Sequence, residues 1–281
     1  MGMNKDVIGK TYNPFKMAIS AEATKKYALA YDDDNPWFLD DSREGGIIAP
    51  PMFAVVYSGP GMASGILDKE LKMNIPLMVH GEQRIRWFET VRPGDEITSL
   101  AKIHDVVDKS SGQVAYITIS CVNQKNQRVA ECMAGLFVRG GGHGKKSPKT
   151  PPPELGTPIF TWSKTVPDDQ MIRYAEASGD HNLIHLDPEF AKKVGLPDVI
   201  MHGLCNMAYA SKAIMDKACN GDPTKLKMLS VQFSKPVLRG QTITLTAYDG
   251  GKVDDRKLIM FESKTEDGSV CIRDGLAEVV A

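Results

Sequence analysis

Residues His202–Cys219 read HGLCNMAYASKAIMDKAC, a run with apolar or small residues on every side and no strong polar face until its end. A helix of that composition is buried around most of its circumference. The stretches that follow, LKMLSVQF (226–233), QTITLTAY (241–248), KLIMFESK (257–264) and SVCIRDGLAEVV (269–280), are rich in β-branched residues and broken by Gly and Asp turns, the pattern of antiparallel strands. Upstream, VPDDQMIRYAEAS from Val166 opens on Pro and acidic residues and stops at Gly179, and Asp187-Pro188-Glu189 opens a shorter helix through Lys193 that ends at Gly195, as helix start and stop rules require. A long buried helix followed by a sheet that wraps it is an α+β layout.

The same order occurs earlier in the chain. YALAYDDDNPWFLDD from Tyr27 lies over YAEASGDHNLIHLDP from Tyr174 at an offset of 147, and WFETVRPGDEIT from Trp87 lies over FSKPVLRGQTIT from Phe233 at an offset of 146. Self-similarity at a fixed spacing marks a tandem duplication. EQRIRWFE, DEITSLAKIHDV, QVAYITISCVN and VAECMAGLFV supply the first half's strands. Its central helix differs, because IIAPPMFAVVYSGPGMASGIL (47–67) carries Gly59-Pro60-Gly61 where the second half runs unbroken. An interior Pro costs about 3 kcal/mol of helix and a Gly about 1, so this helix is expected to be short or broken there. Either a loop is inserted or the sheet is left with space for a substrate tail.

Between the halves, RGGGHGKKSPKTPPPEL (139–155) has glycines, then lysines, then three prolines and no apolar periodicity. It reads as a linker, flexible and then stiff; Lys145, Lys146 and Lys149 either face solvent or touch a phosphate. The expected division is a degenerate first half over 1–138, the linker over 139–155, and a second half over 156–281.

Of 281 residues, 42% are hydrophobic and 25% charged, with 34 Lys and Arg against 35 Asp and Glu. A soluble chain near neutrality gives no electrostatic case for nucleic acid or an anionic membrane. No apolar run nears the ~20 residues of a spanning helix. The start MGMNKDVIGK has no apolar signal core and the end GLAEVVA no Ser-Lys-Leu address, so a cytoplasmic location is expected. The five cysteines (121, 132, 205, 219, 271) are scattered, without metal-ligand spacing, and read as small buried hydrophobes in a reducing compartment.

Chemistry concentrates in SGDHNLIHLD (178–187), where Asp180, Asn182 and His185 follow a Gly-ended helix. A carboxylate and an imidazole together hold a water and pass protons both ways. The second element is Met201-His202-Gly203-Leu204 at the start of the buried helix, where the Gly203 N–H and the helix start can meet an oxyanion. Asp-x-Asn after a Gly is also ordinary turn chemistry, and a His beside Leu can simply be packed. The repeat separates these readings. Asp33 and Asn35 stand in the first half, but Phe38 replaces His185 and Pro51 falls where Gly203 would be. The shared Asp and Asn therefore have a structural origin, while the unshared His and Gly mark one working site.

These residues resemble the MaoC-like, or hydratase 2, family of hotdog-fold enzymes. The resemblance rests on Tyr174, Ser178-Gly179-Asp180-His181-Asn182-Leu183-Ile184-His185 and His202-Gly203-Leu204, with Leu183 where the family usually has Pro, and it extends through Ala49-Pro50-Pro51-Met52-Phe53 to the double-hotdog members. It implies a tandem hotdog, each antiparallel sheet wrapped round a central helix, and reversible syn hydration of trans-2-enoyl-CoA to (3R)-3-hydroxyacyl-CoA. Asp180 and His185 would be catalytic, Asn182 supporting, and the Gly203 amide would polarise the thioester carbonyl. Met201 and His202 would line the substrate, and the first half would bind its tail. Arg84, Arg86, Lys235 and Arg239 are candidates for CoA phosphates or else ordinary exposed strand charge. No metal and no cofactor beyond the CoA of the substrate is implied, and a homodimer is an open possibility. Two other functions fit the same scaffold: an acyl-CoA thioesterase, or a non-catalytic binding subunit of a heteromeric 3-hydroxyacyl dehydratase or acyl-CoA sensor.

Overall fold

The computed structural model describes residues 2–140, 144 and 156–280. Most of the expected linker lies outside the described residues; of its first residues, Arg139 closes a strand.

The first half runs β1 (Phe15–Ala18), α1 (Ala21–Ala30), α2 (Pro36–Leu39), α3 (Ala54–Ile66), then β2 (Met78–Trp87), β3 (Glu96–Lys109), β4 (Gly112–Val122) and β5 (Arg128–Arg139). The second repeats it with β6 (Pro158–Thr165), α4 (Gln170–Ser178), α5 (Pro188–Lys193), α6 (Gly203–Ala218), then β7 (Leu226–Phe233), β8 (Thr242–Val253), β9 (Arg256–Thr265) and β10 (Val270–Val280). All pairings are antiparallel within one ten-stranded sheet of order β1-β3-β4-β5-β2-β7-β10-β9-β8-β6. The edge strands β1 and β6 have short or weakly buried patterns and do not stand out in the sequence.

The order is a palindrome about the β2–β7 junction, where Glu82, Arg84 and Arg86 pair with Gln232, Ser230 and Met228. Equivalent bonds recur on either side. Ile48 N–H donates to Trp37 and Ile200 N–H to Ile184, at 2.9 and 3.1 Å; Ala49 N–H donates to Val91 and Met201 N–H to Val237, at 2.9 and 2.8 Å. The hydroxyls of Tyr27 and Tyr174, equivalent in the repeat, meet at 3.0 Å between the halves.

Each central helix packs on its own strands, α3 on β3, β4 and β5, α6 on β7, β10 and β6. As expected, α3 is the shorter, 13 residues against 16. It nevertheless runs through Pro60, and Gly61 and Gly65 leave no void. A Cβ on Gly61 would stand 3.2 Å from the Ala101 Cβ, and one on Gly65 2.6 Å from the Ile117 Cδ1. Their missing side chains let the helix settle onto the sheet, which is close packing rather than vacancy.

Candidate active site

Helix α4 ends on Gly179 in the left-handed conformation (φ 78°), which frees the chain to turn back across the start of α6. In the turn, the Asp180 carboxylate accepts from the Asn182 N–H at 3.2 Å, and the Asn182 side chain accepts from the Ile184 N–H at 3.3 Å. The first half makes the same two bonds, Asn35 N–H to Asp33 at 3.2 Å and Trp37 N–H to Asn35 at 3.0 Å. Asp and Asn therefore shape the loop in both halves, as the sequence comparison anticipates.

What the loop presents differs. In the first half Asp33 is fully buried beside Lys212 (3.4 Å), and Phe38 fills the place of His185 with no exposure. In the second half Asp180 is exposed, and its carboxylate, His185 and His202 offer polar atoms all within 4.8 Å of one another. His185 Nδ1 lies 2.7 Å from the Ile200 carbonyl. A carbonyl only accepts, so the proton sits on Nδ1 and the Nε2 lone pair is free to receive one. Burial holds the His185 pKa below its usual value, opposed by the Ile200 bond and the Asp180 charge, and the ring is neutral at pH 7. His202 is pushed down to about 4, first by burial and then by the neighbouring His185.

The rings of His185 and His202 stack at 3.8 Å, 26° apart. Nearly parallel rings do not aim their lone pairs at a common point, so this trio suits a hydrogen-bonded water better than a metal ion.

His202 Nε2 donates to the Asp180 carbonyl at 3.0 Å, and the residue is 1% exposed; it ties the 178–187 loop to the helix start. Met201 is also buried, its backbone held by Val237. His202 is the N-cap of α6, and among the described residues the N–H of Gly203, in the first turn, has no backbone partner, as at any helix start. In the first half the corresponding cleft is walled by Pro50, Pro51, Trp87, Val91 and Leu226. Pro51 has no N–H to offer an oxyanion.

The basic candidates are not gathered at this site. Arg86 is held by Glu278 through two bonds of 2.8 and 2.6 Å, and Arg239 by Asp198 at 2.9 Å. Each is already paired with a carboxylate, which favours the alternative that these two are ordinary exposed charge. Along β2, Gln83 and Ile85 are buried beneath the helices, so Arg84 points to the opposite face. Lys235 is exposed in the loop before Val237. One neighbour of the site, His80 on β2, was not singled out by sequence.

A family model for the MaoC-like domain matches residues 151–269, and one for a FAS1-like dehydratase domain region matches 6–132. The chain thus joins a FAS1-like dehydratase region to a MaoC-like domain in a double hotdog. It is 28% identical to a Dictyostelium discoideum protein named Probable enoyl-CoA hydratase 2, over 97% of this chain and 95% of that one. It is likewise 28% identical to the Mus musculus peroxisomal multifunctional enzyme type 2, where 82% of this chain covers about a third (32%) of the longer protein. The crystal structure of a MaoC-like dehydratase from Phytophthora capsici superposes with a TM-score of 0.83 at 25% identity, covering 99% of this chain and 98% of that one.

Proposed function

We propose that this MaoC-like chain reversibly hydrates trans-2-enoyl-CoA to (3R)-3-hydroxyacyl-CoA, with the site in its second half. The observation that carries the reading is the exposed Asp180 carboxylate beside a His185 whose free nitrogen is Nε2, both within 4.8 Å of the ring of His202, the residue that precedes Gly203 at the start of α6. One water held between Asp180 and His185 Nε2 is placed to attack C3. Its oxygen bonds to C3 while the pair takes one of its protons, the C2–C3 π electrons move toward the thioester, and negative charge builds on the carbonyl oxygen. The Gly203 N–H faces that charge; one such donor is worth about 3 kcal/mol. The pair then returns a proton to C2 on the same face, which makes the addition syn. Nothing is oxidised or reduced, so the reaction needs no redox cofactor, and CoA enters only as part of the substrate.

In this reading the first half carries the acyl tail. The expected room beside Gly59-Pro60-Gly61 is filled by the sheet at Gly61, whereas Ile75, Leu77 and Val79, on the segment leading into β2, are each more than 40% exposed and offer an apolar track. All five cysteines are free and buried, in keeping with a reducing compartment such as the cytoplasm.

A panel of 2-enoyl-CoAs tests the reading by loss of the conjugated thioester absorbance and chirality of the product. The expected product is the (3R) alcohol. Release of free CoA thiol would instead identify a thioesterase, and an inert pure chain that becomes active only with a partner would identify a binding subunit.

A further inference from the structure

His80 belongs to the first half, yet it reaches the second half's site. Strand β2 alternates so that Gln83 and Ile85 are buried under the helices, and strict alternation would send His80 to the opposite face. A register shift between His80 and Glu82 in the β2–β5 ladder interrupts the alternation at Gly81. Such a bulge re-aims a side chain, and here it places the His80 ring on the Gln83 side, with Nε2 3.0 Å from the Gln83 Oε1. Gln83 is itself 4% exposed and anchors the ring from below.

The far side of the ring meets Phe233, edge to face, at 5.4 Å between centroids and 77° between planes. Phe233 in turn lies over the start of α6, where a Cβ on Gly203 would stand 3.3 Å from its ring. Asp180 is close enough for its charge to act on His80. Gln83, His80, Phe233 and Gly203 thus form a continuous row from a buried anchor to the amide that faces the thioester.

We propose that His80 is a positioning residue of this site: its ring holds Phe233 against Gly203 and so fixes the slot in which an acyl thioester lies. The inference rests on the acyl-CoA reading above. An edge-to-face pair of this kind contributes enough to shift binding by roughly three- to tenfold.

The test is titration calorimetry with decanoyl-CoA, a saturated thioester that binds without being hydrated, alongside thermal unfolding of every variant. His80→Phe keeps the ring and loses the Gln83 bond; His80→Gln keeps a group able to bond Gln83 and loses the ring. The expected result is near wild-type binding for H80F and roughly three- to tenfold weaker binding for H80Q, with an unfolding temperature close to wild type for H80Q and somewhat lowered for H80F, whose Gln83 loses its partner. Phe233→Leu should weaken binding by a similar factor, and adding H80Q to it should weaken it no further. The proposal is overturned if H80Q binds as wild type, if H80F is weakened as much as H80Q, or if the two losses multiply. A wild-type chain that binds decanoyl-CoA but leaves 2-decenoyl-CoA unhydrated would overturn the hydratase reading alone; one that fails to bind it would overturn both.

Discussion

At the scale of single residues, one duplicated pair of side chains has two fates. Asp180 remains exposed next to His185, while its counterpart Asp33 is buried and faces Lys212, which also reaches Asp34 at 3.1 Å and Asp216 at 3.2 Å. Burial pushes the Asp33 pKa up although Lys212 pulls it down, and Lys212 is pushed up to about 12, its carboxylate neighbours outweighing burial. Desolvation thus offsets much of the pair's attraction. Lys212→Met, which strands the Asp33 carboxylate, is expected to destabilise the fold by about 3 kcal/mol, whereas Asp33→Leu with Lys212→Met should cost clearly less; urea unfolding of the two variants measures both. Gly203→Ala would press a methyl against the Phe233 ring, beside the amide that meets the substrate in the proposed function. Hydration should fall about tenfold or more while stability changes little, as paired kinetic and thermal measurements would register. The exchange of His185 for Phe38 and of Gly203 for Pro51 is legible directly from the repeat. The burial of Asp33 is not, because Lys212 lies 179 residues away in sequence.

At the scale of elements, α3 shows where composition misleads. Helix propensity counts Gly59, Pro60, Gly61 and Gly65 as losses, but two of the glycines are contact surfaces for Ala101, Ile117 and Ile119. Propensity describes an isolated helix, and this one gains its stability from packing. Gly61→Val, which extends side chain into that contact, should therefore destabilise the protein by about 1–3 kcal/mol despite Val's better helix propensity. A raised unfolding temperature in that variant would show that the helix does not seat on the sheet as described. The boundaries of α5 were readable, since Asp187 caps it from its own side chain and Gly195 ends it with φ 88°. Hydrophobic alternation locates β2 but puts His80 on the wrong face, because a one-residue bulge leaves no mark in a period-two pattern except Gly81 itself.

At the scale of the whole molecule, two halves share one sheet through β2 and β7 and meet at further contacts, among them the buried Tyr27–Tyr174 and Gln170–Ala30 bonds. Cutting between them would expose the β7 edge, which pairs readily with another copy. Residues 156–281 expressed alone should therefore run as a dimer or aggregate in size-exclusion chromatography rather than as a stable monomer. Stability should also depend on pH through the buried histidines. His185 and His202 have folded pKa values below the unfolded value of ~6.5, so the unfolded chain binds protons first as pH falls. Their contribution is complete above about pH 6.5 and is lost progressively toward pH 4; a thermal midpoint that stays flat across that range would contradict the burial described for them. In the proposed function, catalysis belongs to one Asp–His pair in the second half, the first half being silent. Its most direct test is the hydration rate of crotonyl-CoA by Asp180→Asn, His185→Gln and the double variant, each checked to be folded. A loss of about 10²–10⁴ is expected in each single variant, with little further loss in the double, because the two act on one water. A wild-type rate in any of the three would contradict it.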